Sequence, residues 1–168
     1  GWIVKSLRPT VLNKGIKTQS RGSFSVEEYR TIYSALRSFH EQTPNEKSAA
    51  TRKTLRNYVV FLANTGVRHG TEALGLTWRN IEWYERDGER YLAVSVDGKT
   101  KKWTAIARDR VVDFLWRQAQ LNPRIDAADF DALIAAKLDE PVFTTRLCST
   151  VTVHNLNRAF NALQDELD

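Results

Sequence analysis

The stretch that decides the fold runs Ala63-Asn64-Thr65-Gly66-Val67-Arg68-His69-Gly70-Thr71-Glu72-Ala73-Leu74-Gly75-Leu76-Thr77-Trp78-Arg79-Asn80-Ile81. Thr65-Gly66 stops the helical pattern that precedes it, since a glycine just past the last periodic residue lets the chain leave the helix. A further short helix fits Thr71 to Leu76, turning Leu74, Leu76 and Trp78 inward. Arg68 sits on the tight connection, where the backbone N–H groups of the new helix and its own guanidinium can face one anion. Arginine suits that place because its fork binds two non-bridging phosphate oxygens and does not lose its charge. Glu72 is either a buttress for Arg68 or the acidic first-turn residue that favours a helix dipole. His69 reads as part of the helix start, with a phosphate contact as its second reading.

Upstream, Ser25 and Glu28 have capping-box spacing, and Tyr29, Ile32, Tyr33, Leu36 and Phe39 recur at helical intervals. That helix is predicted to end near Thr43-Pro44, because a residue before proline is pushed out of the helical region. A second helix fits Ser48 to Asn64, with Leu55, Val59 and Leu62 on one face and Arg52, Lys53 and Arg56 mainly off it. Downstream the period changes to two. Asn80–Tyr84, Arg90–Val96 and Lys101–Ala107 are rich in β-branched and aromatic residues, and Asp87-Gly88 and Asp97-Gly98 between them are hairpin-turn dipeptides. Helices return at Arg110–Leu121, around Ala127–Leu138 and at Thr152–Leu167, the last with Leu156, Phe160, Leu163 and Leu167 on one stripe. The expected fold class is mainly α with a small three-stranded antiparallel β-sheet.

The chain has 168 residues, 42% of them hydrophobic and 27% charged, which is enough to bury a core without disulfides or a structural metal. Its one cysteine, Cys148, excludes an internal disulfide and reads as a buried small apolar residue. His40, His69 and His154 lack metal-ligand spacing, so no metal site is expected. No apolar run is long enough for a bilayer, and a cytoplasmic location is expected. The 25 Lys and Arg exceed the 20 Asp and Glu, and the excess lies in residues 1–21, which hold Lys5, Arg8, Lys14, Lys17 and Arg21 and no acid. Residues 1–22, with Pro9, Gly15 and Gly22, therefore read as a basic linker able to run along a polyanion, or as a solvated tail. A chain that begins with Gly and contains no Met reads as a piece of a longer protein.

The Arg68 segment resembles the first box of the tyrosine recombinase (phage integrase) family. That box usually reads Thr-Gly-x-Arg, a small residue, an acidic residue and Leu, then Leu-x-Trp-x-Asp-Ile. The likeness continues through the lysine-bearing hairpin Val96-Asp97-Gly98-Lys99-Thr100-Lys101-Lys102-Trp103 and includes the opening helix at Phe24-Ser25-Val26-Glu27-Glu28-Tyr29, covering about residues 22–168. Two departures stand out. One extra residue separates Arg68 from Glu72, so the helix start must bulge or rotate, and Asn80 replaces the usual Asp. The resemblance implies that residues 23–168 are the N-terminal portion of a recombinase catalytic domain, with residues 1–22 a tether. It implies that Arg68 binds the scissile phosphate, with Glu72 behind it, and that a hairpin lysine protonates the departing 5′ oxygen. Lys99 is the choice for that acid, which needs a mobile ammonium able to lose a proton. Lys101 and Lys102 are its rivals, with plain phosphate attraction or edge-strand protection as their simpler roles. Arg79, Lys14, Lys17 and Arg21 are further candidate DNA contacts, while Trp83 and Trp103 are expected to pack the sheet onto helices.

The family's chemistry uses no metal or nucleotide cofactor: a tyrosine attacks phosphorus and forms a 3′-phosphotyrosyl link. That tyrosine follows a His-x-x-Arg box, whereas here no tyrosine follows Tyr91. His154-Asn155-Leu156-Asn157-Arg158 has one residue too many for the box and lies in an amphipathic pattern, so it reads as an ordinary helix with His154 and Arg158 at the surface. The expectation is a fragment that is inert in strand cleavage and monomeric in solution. Its partner is double-stranded DNA, and the intact protein would self-associate on it. Two other readings remain. One is a catalytically inactive DNA-binding module or regulator. The other is a helical protein-interaction domain using the acidic stretch Asp126–Glu140.

Overall fold

The computed structural model describes residues 23–145 and 151–167, so the linker at 1–22 with Lys14, Lys17 and Arg21, and Cys148, lie outside the described residues. Helix α1 spans Val26–Ala35. Its start is the expected capping box: Ser25 Oγ accepts from Glu28 N–H at 3.1 Å, and Glu28 accepts from Ser25 N–H at 2.6 Å. The helix does not run on to Thr43. It stops at Ala35, and Phe39–Gln42 forms a separate 3₁₀ turn. That break buries Phe39 and frees its carbonyl for Arg52, whose guanidinium also stacks 3.8 Å over the Phe39 ring.

Helix α2, Glu46–Thr65, starts two residues earlier than the periodicity indicates, because Asn45 caps it by accepting from Ser48 N–H at 2.9 Å. It packs against later helices and the sheet, so residues on several sides are buried, including Ala50, Leu55, Tyr58, Val60 and Phe61. The face expected from Leu55, Val59 and Leu62 is thus only part of its contact, and Val59 and Leu62 are half-buried. Helix α3, Thr71–Leu74, is a single turn and is followed by a 3₁₀ turn at Trp78–Asn80 that buries Trp78 completely.

Strands β1 (Ile81–Arg86), β2 (Glu89–Asp97) and β3 (Lys102–Ala107) form an antiparallel sheet in the order β1-β2-β3. The first connection is the expected two-residue turn: Arg86 pairs with Glu89, and Asp87 and Gly88 are both left-handed, with φ of 54° and 79°. The second is not. Asp97 pairs with Lys102, which leaves residues 98–101 as the loop, and Gly98 is not left-handed. Glycine is needed there for space, since a Cβ would lie 2.7 Å from the Lys101 carbonyl oxygen and 3.1 Å from the Trp103 ring. Ile81, Leu92, Val94, Val96, Ala105 and Ala107 form the buried face of the sheet.

Helix α4 covers Arg110–Gln120. Helix α5 is limited to Phe130–Ala135, shorter than the expected Ala127–Leu138. Asp129 caps its start by accepting from Ala132 N–H at 2.8 Å. Lys137, left-handed at φ 47°, lies beyond its end and donates to the Ile81 carbonyl at 3.2 Å. Residues 141–145 then pass beneath the Arg68 segment, with Val142 N–H bonded to the Leu76 carbonyl at 2.9 Å. Helix α6, Val153–Asp165, is capped by Thr152 and buries Leu156 and Leu163. No helix among the described residues is long and apolar enough to cross a membrane.

Candidate functional site

The bend that carries Arg68 is anchored at both ends. Gly66 caps α2 with φ 71°, Val67 is buried, and Gly70 is buried with φ 100° and ψ −132°. Only glycine adopts that second conformation readily. The chain therefore changes direction at Gly70, between Arg68 and the start of α3. Arg68 and His69 are consequently both exposed between two fixed points.

Glu72 reaches back across the bend. Its carboxylate lies 3.5 Å from Arg68 Nη1 and accepts from the Arg68 backbone N–H at 3.4 Å. The Glu72 side chain is only 10% exposed whereas that of Arg68 is 75% exposed, so a seated carboxylate holds a solvent-facing guanidinium. Glu72 satisfies both geometries at once: it pairs with Arg68, and it is the acidic residue in the first turn of α3. The backbone N–H groups of the helix start are only partly directed as expected, since the one at the N-cap is turned inward. Helix α3 has a single turn, and the Gly70 N–H points inward to the Tyr58 hydroxyl at 3.1 Å.

Tyr58 is the residue that sequence reasoning missed. It is almost fully buried on α2, its ring packs edge-on 4.9 Å from Phe143, and its hydroxyl lies 2.9 Å from His69 Nδ1. Burial pushes the Tyr58 hydroxyl above the usual tyrosine range. No motif signals this role, because a tyrosine inside a helical pattern looks like any other core aromatic.

The hairpin lysines divide into two groups. Lys99 and Lys101 belong to the exposed loop at residues 98–101. Lys102 opens β3 opposite Asp97 and lines a groove of about 360 Å³ between α3 and the hairpin, together with Thr71, Glu72, Asn80 and Trp103. The structure therefore places Lys102, not Lys99 or Lys101, on the groove that contains the partner of Arg68. A larger groove of about 590 Å³ lies between the start of α2 and α6, where Lys47, Arg52 and Arg158 contribute cations, and no residue of the Arg68 bend lines it.

The remaining candidates have other partners. Arg79 Nη1 is 3.4 Å from Asp139, so its charge is shared with a carboxylate. Trp83 packs edge-on against Phe130 and donates to Asp131 at 2.7 Å, while the Arg90 guanidinium lies over its ring, 3.8 Å from the centre. Trp83 thus packs the sheet onto α5 as expected, while Trp103 is half-buried against the core. His154 and Arg158 are exposed on α6. In the acidic stretch, Asp131 binds Arg90, Asp139 faces Arg79, Glu140 faces Arg124 at 3.9 Å, and Asp129 caps α5. Those acids are engaged within the domain. Among the described residues no group of three or more His, Cys, Asp or Glu is placed to hold a metal ion.

Comparison of the chain with family models, curated proteins and solved structures finds no match in any of the three.

Proposed function

We propose that this chain is the N-terminal portion of a tyrosine recombinase catalytic domain, an enzyme part that helps cut and rejoin double-stranded DNA through a 3′-phosphotyrosyl intermediate. The observation that carries the reading is the Arg68–Glu72 pair: an exposed guanidinium held by a seated carboxylate on a glycine-defined bend, beside a groove walled by the lysine hairpin. In this reading Arg68 binds the non-bridging oxygens of the scissile phosphate and stabilises the charge that develops on them. Lys99, on the exposed loop, has the freedom a general acid for the departing 5′ oxygen requires. Lys101 and Lys102 attract the backbone, and Lys102 is the rival acid because it lines the groove. The nucleophilic tyrosine and the second arginine would be supplied by sequence beyond the segment described. This chain alone is then inert in cleavage and monomeric, and self-association on DNA belongs to the intact protein.

The test is strand cleavage by a chain extended to include the nucleophile. Arg68→Ala is expected to lower the rate of covalent adduct formation by at least about a hundredfold. Near-normal adduct formation by that variant sinks the assignment. The alternative, an inactive DNA-binding module on the same fold, predicts salt-dependent duplex binding but no adduct in the extended chain, with Lys99→Ala changing only the electrostatic part of affinity.

A further inference from the structure

The Tyr58 hydroxyl meets two groups of the Arg68 bend, the Gly70 N–H at 3.1 Å and His69 Nδ1 at 2.9 Å. An amide N–H can only donate, so the hydroxyl accepts from Gly70 and retains its own proton to give. His69 Nδ1 is the acceptor within reach. Burial of Tyr58, which disfavours the phenolate, keeps that proton in place. When Nδ1 of a neutral imidazole accepts, the ring proton is on Nε2, on the side of the ring away from the buried tyrosine. His69 is exposed and adjacent in the chain to Arg68. Its orientation is further limited by edge-on packing, with the two ring centres 5.7 Å apart.

We propose that His69 is a second anion-binding residue at this bend, a donor fixed in the Nε2–H form by Tyr58, which together with Arg68 grips the oxygens of one phosphate group. The identity of that phosphate as a DNA phosphodiester rests on the recombinase reading; the phosphate site itself rests on the Tyr58–His69–Gly70 geometry. Tyr58 is a positioning residue. It never reaches the ligand, and it acts by choosing which nitrogen of His69 carries the proton and which way the ring faces. A purely structural role for the Tyr58–His69 contact would hold the bend together without any response of the imidazole to phosphate.

The experiment is long-range ¹H–¹⁵N NMR of the histidine rings, followed by titration with inorganic phosphate and with a short DNA duplex. The wild-type chain is expected to show His69 as the Nε2–H tautomer, and Tyr58→Phe to show a mixture. Both ligands are expected to move the His69 ring signals, and His69→Phe to weaken duplex binding about tenfold at fixed salt. An Nδ1–H tautomer in the wild type overturns the proposal, as do ring signals that neither ligand moves. Duplex binding that falls with Arg68→Ala but is unchanged in His69→Phe overturns it while leaving the recombinase reading intact. Conversely, His69 signals that respond to phosphate in a chain that does not bind duplex uphold the anion site and remove the DNA assignment. Because His69 is exposed, its variant tests the proposal even if Tyr58→Phe does not fold.

Discussion

At Gly70 the backbone conformation costs any other residue on the order of 1–3 kcal/mol, and Gly70 joins the Arg68 bend to α3. A Cβ added there would meet only Val153 Cγ2 at 3.8 Å, an ordinary contact, so the penalty is conformational rather than steric. Gly70→Ala is therefore expected to destabilise the domain by about 1–3 kcal/mol, read from urea unfolding. Glu72→Gln provides the contrast. Arg68 is largely exposed, so losing the pair should change stability by less than about 0.5 kcal/mol. The value of the pair lies in where it holds a guanidinium, not in what it adds to folding.

Helices α2 and α4 are joined by a buried polar chain. Asn57 Nδ2 donates to Gln118 Oε1 at 3.1 Å, and Gln118 Nε2 and Thr54 Oγ1 both donate to the Thr144 carbonyl, at 2.6 and 3.1 Å. Removing the central amide leaves partners buried without bonds, so Gln118→Ala is expected to cost at least about 2 kcal/mol in chemical denaturation. The sheet and α5 are fastened differently, by an exposed clip in which Asp131 accepts from Arg90 and Trp83. The Arg90 hydrogen bond holds the Asp131 carboxyl below the usual aspartate range. A group titrating lower in the folded state than in the unfolded state contributes fully above its unfolded value, about 4, and its contribution is lost as pH falls through the folded value. Asp131→Asn should accordingly flatten the loss of stability below about pH 4, measured as the unfolding midpoint against pH.

Across the whole molecule, charge is arranged so that many acids are already engaged. Arg124 faces Glu140 and Lys137 faces Glu82 at 3.3 Å, whereas Lys99, Lys101 and Lys102 crowd one end of the sheet. Duplex affinity is expected to fall steeply with salt, and Lys102→Ala should reduce the slope of log affinity against log salt by about one. Arg124→Ala and Lys137→Ala should leave that slope nearly unchanged. Fluorescence anisotropy with a labelled duplex makes the comparison. Equal effects from all three variants would show that the hairpin is not the contacting surface.

Local residues fix the order and type of most elements, since periodicity, caps and turns act within a few residues: Ser25 with Glu28, Thr65-Gly66 and Asp87-Gly88 each do in the structure what their chemistry dictates, whereas Asp97-Gly98 does not. Arg68 stands out from local residues alone, and the structure adds its exposure and its Glu72 partner. The sequence misjudged elements whose ends are set by distant packing, as when Phe39 turned under Arg52 and ended α1 early. The tertiary structure alone decided that Tyr58 holds His69, that Glu72 holds Arg68 across the Gly70 bend, and that Lys102 lines the groove. The physical reason is reach. Local preferences name an element, but which hydroxyl, carboxylate or ammonium meets another depends on how elements far apart in the chain come to lie side by side.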